Sequence, residues 1–313
     1  MKILVAPLNW GLGHASRCVP LVQRFLNEGH EVILGGDGNS LTLLRKHFPQ
    51  LRYTYLAPLN LRYSKSNRQV FAMLCALPKI ILWTFKDHAL LRAILREESF
   101  DQIVSDNRFG LYNKETKSVY ITHQLHIMLP KGWCWAEGIA EKLHKCIWQH
   151  YDEVWIPDYE DSEKSLSGKL GHIEPGLSGI NYIGPLSRFQ NIQISPNTTI
   201  YQTVAVLSGL EPQRTILEKQ IVSRYAGQKE QVLIVQGLIG RPKTTIKRGN
   251  ITILPYIEDE KLAEALMGAK HIIARSGYST IMDFHALGVL DKAELIPTPG
   301  QPEQEYLARH IFK

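Results

Sequence analysis

Three polar side chains in the first half of the 313-residue sequence stand where they could exchange protons with a ligand. His14 opens a predicted helix, and Asp106 and His123 each follow an apolar run that predicts a buried strand, at residues 102–105 and 118–122. The carboxyl ends of parallel strands meet at one edge of a sheet, where open α/β sheets bind ligands. Because histidine titrates near neutral pH, His14 could be a general base or a donor to an anionic group. The alternative is a histidine that only caps its helix.

The loop before this histidine contains two glycines, Gly11 and Gly13, after a β-rich run at residues 2–6. Glycines here predict a sharp turn of the backbone and open space beside the helix N-terminus. The string reads G-x-G-x-x-S and Asp37 follows at about the distance of a ribose-binding acid, so a dinucleotide site is an alternative. Four residues separate the strand from Gly11, and Ser16 replaces the third glycine, which weakens that alternative.

The second half of the sequence contains a phosphate-binding pattern at residues 274–283, ARSGYSTIMD. A predicted strand runs into a turn of small residues, and a helix begins near Ser279, whose free N–H groups and dipole suit a phosphate. Asp283 lies one turn further on, where a carboxylate could accept two hydrogen bonds from a ribose diol. Residues 299–305, PGQPEQE, add polar groups after another predicted strand. The alternative is an ordinary N-capped helix with a surface acid.

Predicted strands and helices alternate along the chain in two series, each typical of a doubly wound parallel sheet. The predicted strands are residues 2–6, 31–34, 102–105, 118–122 and 153–156 in the first series, and 203–207, 232–236, 251–254, 271–274 and 293–297 in the second. Glycine and proline cluster between residues 157 and 200, which indicates a connection between domains. We therefore predict an α/β protein of two Rossmann-like domains, residues 1–185 and 186–313, facing each other across a cleft.

The composition excludes several classes of protein. Hydrophobic residues make up 44% and charged residues 21%, which is typical of a globular protein and unlike a disordered, collagen-like or disulfide-scaffold chain. The four cysteines lie far apart without zinc-type spacing, so they predict reduced thiols in a cytoplasmic protein. The start has no signal-peptide pattern, and the longest apolar stretch, residues 70–83, is too short to span a bilayer.

Basic residues are concentrated in one segment. The chain carries a net charge of +6, but residues 41–96 hold ten basic residues and one acid, a net charge of +9. Such a segment is either a solvated face or a surface for an anionic partner, such as membrane headgroups or a phosphorylated substrate. No nucleic-acid-binding motif accompanies it, so nucleic acid is not an expected partner.

Apolar and basic residues also lie side by side in two places. The first is residues 70–74 and 80–83 with Arg68, Lys79 and Lys86, and the second is residues 131–135, KGWCW. Aromatic and cationic side chains together suit the surface of an anionic membrane, so we predict a peripheral contact with its inner face. The alternative is that the apolar residues form a core helix of the first domain.

These motifs together resemble the GT-B glycosyltransferases of family 28, typified by the bacterial GlcNAc transferase that completes the peptidoglycan lipid precursor. The resemblance is strongest over residues 250–310, in the RSG-x-S-T-x-x-D block and the segment PTPGQPEQEYLA. It returns weakly at residues 3–26, where the family has a glycine-rich loop ending in histidine, and at residues 118–124. Residues 40–100 match nothing in the family. The resemblance implies a GT-B fold and transfer of a sugar from a UDP-sugar to a saccharide or lipid-linked acceptor of a cell-envelope polysaccharide.

The resemblance also implies roles for individual residues in the donor site. It places Ser276, Gly277, Ser279 and Thr280 around the diphosphate, Asp283 at the ribose, Gln304 and Glu305 at the sugar, Tyr256 and Ile257 at the nucleobase, Ser208, Gly209 and Arg214 near the phosphates, and Arg188 beside the hinge, with Arg275 as a further donor-binding residue. The sequence departs from the family at three places. Asp283 replaces the usual Glu, Glu305 replaces the usual Gln and leaves the sugar open, and residues 210–212 interrupt a Gly/Ser-rich loop.

An inverting transfer needs a base for the acceptor hydroxyl and a stabilised nucleoside diphosphate leaving group. We expect the base in the N-terminal domain, His14 first and Asp106 or His123 next. Helix N-termini and arginine would meet the charge of the leaving group. No Asp-x-Asp motif occurs, so we expect no essential metal and no cofactor beyond the nucleotide-sugar donor, with bound magnesium as an alternative.

Three other functions stay open at this point. They are a nucleotide-sugar epimerase or hydrolase of the same fold, a non-catalytic protein that binds a nucleotide-sugar or lipid, and a basic nucleic-acid binder. Proteins of this architecture continue with a last helix that crosses back to the first domain, whereas this sequence stops at Lys313. We therefore expect a chain that is truncated or that lacks this helix.

Overall fold

The computed structural model describes residues 1–59, 69–172, 179–192, 200–242 and 244–312, with the side chains of 69–75 left out. Within these ranges the strands are β1 (Lys2–Pro7), β2 (Glu31–Gly36), β3 (Tyr53–Tyr55), β4 (Gln102–Asp106), β5 (Lys117–Ile121), β6 (Glu153–Ile156), β7 (Ile180–Tyr182), β8 (Thr203–Val206), β9 (Val232–Val235), β10 (Ile246–Arg248), β11 (Ile251–Leu254), β12 (His271–Ala274) and β13 (Ala293–Leu295). The helices are α1 (Gly13–Asn27), α2 (Gly38–His47), α3 (Gln69–Glu97), α4 (Glu137–Trp148), α5 (Gln213–Tyr225), α6 (Asp259–Gly268), α7 (Tyr278–Ala286) and α8 (Pro302–His310).

The first sheet is parallel throughout, with the strand order β3-β2-β1-β4-β5-β6-β7. Alternate residues of β1 face opposite sides: Ile3 and Val5 pack in the same cluster as the apolar residues of α1 and α2, and Leu4 and Ala6 in the same cluster as those of α3. Both faces are therefore covered, as a parallel sheet requires. Pro7 pairs with Asp106, so the loop after β1 and the end of β4 share the carboxyl edge of the sheet.

The second sheet has the order β10-β11-β9-β8-β12-β13 and is parallel except for β10, which runs antiparallel at one edge. Helices α6 and α7 cover one face and α5 covers the other. The prediction of two doubly wound Rossmann-like domains is thus confirmed. We call them the first and second lobes. The predicted domain boundary, between residues 185 and 186, falls in the connection from β7 to β8 and stays a prediction.

Helix α3 supports both predictions made for its apolar residues. Trp83 and Leu91 are buried in the first lobe, whereas four large apolar side chains point to solvent: Leu77, Ile81, Leu82 and Phe85. Residues 70–74 lie where side chains are not described, and Arg68 lies outside the described residues. Within the described ranges, no helix is long and apolar enough to cross a bilayer. A contact with the membrane surface stays a prediction.

Part of the basic excess of residues 41–96 is neutralised by acids from outside that segment. Lys46 Nζ lies 2.7 Å from a carboxylate oxygen of Glu258, and Arg52 Nη1 lies 2.7 Å from one of Glu98. Arg62 and Lys65 lie outside the described residues. The net charge of +9 therefore overstates the free positive charge of this surface.

Candidate active site

The carboxyl edge of the first sheet brings His14 and Asp106 into a hydrogen bond. Helix α1 begins at Gly13, so His14 lies in its first turn, and Asp106 ends the neighbouring strand β4. His14 Nδ1 is 2.7 Å from Asp106 Oδ1, and the carboxylate is fully buried. Arg17 Nη2 also lies 3.0 Å from Nδ1, but the contact with the carboxylate is shorter. Because an ionised carboxylate only accepts hydrogen bonds, we assign the proton to Nδ1 and a lone pair to Nε2. This is the arrangement of a histidine general base with an orienting carboxylate.

Arg17, one turn further along α1, holds the same carboxylate from the other side. Its Nε donates to Asp106 Oδ2 at 2.5 Å and its Nη2 donates to Oδ1, and its side chain is only 2% exposed. Burial alone would raise the pKa of Asp106, but Arg17 and His14 hold that pKa well below its ordinary value. Asp106 therefore stays ionised over the whole physiological range. The sequence analysis missed Arg17, although its spacing of three residues from His14 places both on one helix face.

The electrostatic surroundings of His14 favour its neutral form. Burial lowers the pKa of His14 below the ordinary value of about 6.5. The negative charge of Asp106 opposes this shift, and the positive charge of Arg17 adds to it. His14 is therefore unprotonated at neutral pH and can accept a proton.

His123, the third candidate of the first lobe, lies on the opposite side of Arg17 and contacts the second lobe. Its Nδ1 is 3.1 Å from Arg17 Nη1, and its Nε2 is 2.8 Å from Glu303 Oε1 at the start of α8. Its ring stacks on Tyr278 with the centroids 4.4 Å apart. His123 thus joins the site through Arg17, with no contact to His14 that would make it a second base. Tyr278 and Glu303 are two further residues that sequence analysis missed.

The N-termini of α1 and α7 meet where the two lobes face each other. Gly277 is the N-cap of α7, and the Ser279 hydroxyl donates to the Gly13 carbonyl at 2.9 Å. The first N–H groups of a helix have no partner within it and carry its positive dipole end. An anion bound at the start of α7 would therefore lie beside the base. Gly11 has a φ of +83°, which agrees with the predicted turn.

Gly13 leaves the space in which Ser279 approaches. A Cβ added at Gly13 would lie 3.0 Å from Ser279 Oγ and 3.2 Å from its Cβ. We expect Gly13→Ala to weaken the contact between the lobes by about 1–3 kcal/mol and to lower kcat/KM of the reaction at this site by about tenfold. Steady-state kinetics over a range of donor concentrations measures this loss.

Gly138→Ala is the matched control, because a Cβ there meets nothing within 4 Å. The double variant Gly13→Ala/Ser279→Gly removes both close contacts and should recover the stability that Gly13→Ala loses. Equal kcat/KM for Gly13→Ala and Gly138→Ala would contradict the argument.

Asp283 lies one turn into α7 and faces the connection between the lobes. Its Oδ1 accepts a hydrogen bond from Ser187 Oγ at 2.7 Å, and its Oδ2 is 3.4 Å from Arg188 Nε. Burial raises the pKa of Asp283 to about 6, against the opposing influence of Arg188 and Ser187. Arg188 also lies 3.1 Å from Asp259, so this arginine connects two buried carboxylates. The structure therefore brings together Asp283 and Arg188, both of which were predicted for the donor site.

A cavity of about 290 Å³ opens next to Arg188, between the end of α2 and the start of α6. Tyr256 forms part of its wall, with Lys46 Nζ 3.8 Å from the ring centroid. Both carboxylate oxygens of Asp259 are buried, with Arg188 3.1 Å from Oδ1 and His47 3.4 Å from Oδ2, but neither oxygen accepts a well-aligned hydrogen bond. Unsatisfied polar atoms beside an aromatic wall suit a ligand that is part ring and part hydroxyl or amide. Ile257, the next residue, is half-buried and packs on the core of the second lobe.

Other residues predicted to bind the donor substrate lie around the start of α7, but several of their side chains already form hydrogen bonds within the protein. Arg275 donates to the carbonyls of Pro297 at 2.9 Å and Gln213 at 3.0 Å, so its guanidinium braces the backbone. Ser276 Oγ donates to the Gln304 carbonyl at 2.8 Å, and Thr298 N donates to Gln304 Oε1 at 2.8 Å. Gln304 is therefore held beside the start of α7 with its amide nitrogen still available to donate.

The remaining predicted donor residues lie at the edges of this region. Ser208 and Gly209 follow β8, with Gly209 at a φ of +86°. Arg214 is paired with Glu211, so its charge is already partly neutralised. Thr280 lies in the first turn of α7, and Glu305 is exposed on α8.

Asp37 is used for packing inside the first lobe, which removes the basis of the dinucleotide alternative. Its Oδ1 accepts from Arg108 Nη1 at 3.0 Å and its Oδ2 accepts from Asn9 at 2.9 Å. Arg108 also pairs with the buried Asp87. Asp37 thus belongs to a buried ion-pair network rather than to a ribose site. Among the described residues, no group of three or more histidine, cysteine, aspartate or glutamate side chains could hold a metal ion.

Comparisons with known proteins agree with this geometry. No family model matches the chain. An uncharacterized glycosyltransferase of Methanosarcina acetivorans is 25% identical over an alignment of 335 residues, which covers 97% of this chain and 82% of that protein. The calicheamicin glycosyltransferase CalG4 superposes with a TM-score of 0.61 at 11% identity, over 99% of this chain and 83% of that one. The chain has the GT-B fold.

The spinosyn rhamnosyltransferase SpnG in complex with thymidine diphosphate is a second structural neighbour. It has a TM-score of 0.56 at 13% identity, over 98% of this chain and 84% of that one. In the GT-B fold of the present chain, His14 and the start of α7 lie where the two lobes meet. None of these comparisons bears on the peptidoglycan-precursor specificity that the family 28 resemblance implies.

Proposed function

We propose that this protein is a glycosyltransferase that moves a sugar from a nucleoside-diphosphate donor, UDP-linked, to an acceptor hydroxyl with inversion. The observation that carries the proposal is the His14–Asp106 pair held at 2.7 Å directly beside the N-terminus of α7. A base and an anion-binding helix end, facing each other between two lobes, are the two elements that such a transfer needs.

In the proposed reaction, His14 Nε2 removes the proton from the acceptor hydroxyl as that oxygen attacks the anomeric carbon. The bond from that carbon to the diphosphate oxygen breaks, and the electron pair leaves with the nucleoside diphosphate. Asp106 stabilises the imidazolium that forms, as an ionised carboxylate can. One displacement from the face opposite the leaving group inverts the anomeric centre.

The donor is proposed to bind along the second lobe. Its diphosphate would lie at the start of α7, where the Ser279 hydroxyl would turn from Gly13 to a phosphate oxygen. Its ribose would lie at Asp283, replacing the hydrogen bond from Ser187. The nucleobase would lie in the cavity beside Tyr256. The thymidine diphosphate complex of SpnG, a protein of the same fold, supports a nucleoside diphosphate as the leaving group.

The sugar is proposed to lie between α8 and the general base His14, with the Gln304 amide nitrogen donating to one of the sugar hydroxyls. The epimerase alternative needs several acids around the sugar. Two acids of this site, Asp106 and Glu303, are each already bound by Arg17 or His123. The transferase is therefore the better fit to the contacts of this site.

A thermal-shift panel tests the donor. UDP at about 100 times its dissociation constant should stabilise the fold by about 2.7 kcal/mol, and NAD should not. Asp283→Asn should reduce the stabilisation by UDP. The control Asp291→Asn changes an exposed residue and should leave the stabilisation unchanged. Product analysis with and without acceptor then separates transfer from hydrolysis. Stabilisation by NAD and by no nucleoside diphosphate would overturn the proposal.

The acceptor is proposed to be lipid-linked and presented at an anionic membrane. Two rows of exposed apolar side chains in the first lobe support this. Leu77, Ile81 and Phe85 follow one face of α3 at intervals of four residues, and Trp135, Ile139 and Leu143 do the same over the start of α4. The exposed Lys79 and Lys86 flank the first row, which makes the surface complementary to anionic headgroups.

The protein is therefore expected to sediment with vesicles that contain anionic lipid, and salt should weaken this binding. The double variant Phe85→Ser/Trp135→Ser removes two exposed aromatic rings and should lower the partition constant by about tenfold or more. Ile246→Ser changes an exposed apolar residue of the second lobe and is the control. The absence of lipid-dependent sedimentation at low salt would reject the membrane contact.

A further inference from the structure

A continuous chain of hydrogen bonds connects the second lobe to the proposed base. It runs from Glu303 to His123 at 2.8 Å, from His123 to Arg17 at 3.1 Å and from Arg17 to Asp106 at 2.5 Å. The last step, from Asp106 to His14, is 2.7 Å. Arg17, Asp106 and His123 are all less than 10% exposed.

The donors and acceptors in this series of hydrogen bonds determine which nitrogen of His123 carries a proton. Arg17 can only donate, so His123 Nδ1 must face it with a lone pair. Ionised Glu303 can only accept, so His123 Nε2 must carry a proton towards it. These two contacts therefore place the proton of His123 on Nε2 and a lone pair on Nδ1. Partial burial raises the pKa of Glu303, but the hydrogen bond from His123 and the positive charge of Arg17 outweigh it, so the pKa is lowered and Glu303 stays ionised.

We propose that Glu303 is a positioning residue that makes the His14 base depend on contact between the lobes. When the second lobe is docked, Glu303 selects the tautomer of His123 that can accept a hydrogen bond from Arg17. Arg17 is then held in the plane of the Asp106 carboxylate, and Asp106 orients His14. This inference rests on the proposed role of His14 as the base for glycosyl transfer.

Separation of the lobes removes Glu303 from His123. The Nδ1–H tautomer then becomes accessible, and it would point an N–H at a guanidinium that can only donate. A buried donor without an acceptor is costly, so Arg17 would turn away from Asp106. The base would therefore be correctly oriented only while the two lobes are docked.

Two other contacts between the lobes do not reach Asp106 and serve as controls. On the same helix as Glu303, Tyr306 Oη accepts a hydrogen bond from Lys169 N at 2.8 Å, and His310 Nε2 is 2.9 Å from the Ser165 carbonyl. Tyr306→Phe therefore removes an interlobe hydrogen bond and leaves the chain to His14 intact.

The first test is the proton position on His123, read from two-bond ¹H–¹⁵N spectra of the full chain with ¹⁵N-labelled histidine. Wild type and Glu303→Gln should show the Nε2–H tautomer, because the Gln carbonyl can also accept from Nε2. In Glu303→Ala, Nε2–H has lost its acceptor, so the population of this tautomer should fall in favour of Nδ1–H. An Nδ1–H tautomer or an imidazolium at His123 in the wild type would overturn the inference without any variant.

The second test is the kinetics of sugar transfer. Glu303→Ala should lower kcat by about 10–100-fold with little change in the donor KM, and Glu303→Gln should recover kcat to within about threefold. Tyr306→Phe should leave kcat unchanged. A rise in KM shared by Glu303→Ala and Tyr306→Phe, with no change in kcat, would mean that Glu303 only holds the lobes together.

The two tests also separate this inference from the proposed function. If the wild type transfers no sugar from any nucleotide-sugar while the tautomer still follows Glu303, the glycosyltransferase proposal fails and the coupling between the lobes stands. If transfer occurs and the tautomer of His123 is the same in wild type and Glu303→Ala, the coupling is wrong and the glycosyltransferase proposal stands.

Discussion

Replacement of His14 by alanine is expected to lower kcat for sugar transfer by about 10²–10⁴-fold, the usual contribution of a general base. The donor should still bind, because the proposed diphosphate site belongs to α7 and not to α1. In the wild type, kcat/KM should fall on the acid side with a midpoint below about 6.5, since burial and Arg17 both lower the pKa of His14. Initial rates from about pH 5 to pH 9 measure both effects.

A matched control lies just beyond the other end of the same helix. His30 follows α1 and contacts Glu28, far from the carboxyl edge of the first sheet. His30→Ala should change the rate by no more than about twofold, as surface substitutions usually do. A His14→Ala variant that retains wild-type kcat at saturating acceptor would show that His14 is not the base, and the transferase mechanism proposed above would be wrong.

Replacement of Arg17 by methionine is expected to have the largest effect on stability. It leaves the buried Asp106 without the two hydrogen bonds from Arg17, and breaking such a buried ion pair lowers the free energy of unfolding by about 3–5 kcal/mol. It also removes a positive charge that lowers the pKa of His14, so that pKa should rise. The acid limb of the kcat/KM profile should therefore move to higher pH. Urea unfolding and pH–rate measurements provide the two readouts.

Arg108 offers a control of the same chemistry in the same lobe. It is fully buried and binds Asp87 at 2.7 Å and Asp37 at 3.0 Å, away from His14. Arg108→Met should cost about as much stability as Arg17→Met, but the acid limb should not move. Should Arg17→Met fail to fold, Arg17→Lys keeps the charge without the two-point geometry and should show a smaller loss of stability. A loss below about 1 kcal/mol for Arg17→Met would contradict the role assigned to the pair.

Much of the fold could be predicted from local patterns. Strands β6, β11 and β12 have the predicted bounds, because short runs rich in β-branched residues are local signals. Helix α3 was harder, since Pro78 interrupts its apolar run and proline is unfavourable inside a helix. Tertiary packing of Trp83 and Leu91 against the first sheet stabilises this long helix, and that packing has no signature in the local sequence.

The candidate site, too, could be predicted from the sequence only in part. The order of strands along the chain was enough to place His14, Asp106 and His123 at one sheet edge, because parallel strands with right-handed crossovers align their carboxyl ends. The expected helix start near Ser279 also agrees with α7. These predictions needed only chain direction and hydrophobic periodicity.

The order of elements along the chain does not show which polar side chains of the site contact each other. Arg17 reaches Asp106 across 89 residues, and Glu303 reaches His123 across 180 residues. Hydrogen bonds of this kind depend on the register between strands and on how two lobes face each other, to within less than an ångström. The amino-acid sequence alone therefore determined the architecture and the chemical groups at its edge. Only the tertiary structure decided their pairing, because burial and direct contact set the protonation state of each group.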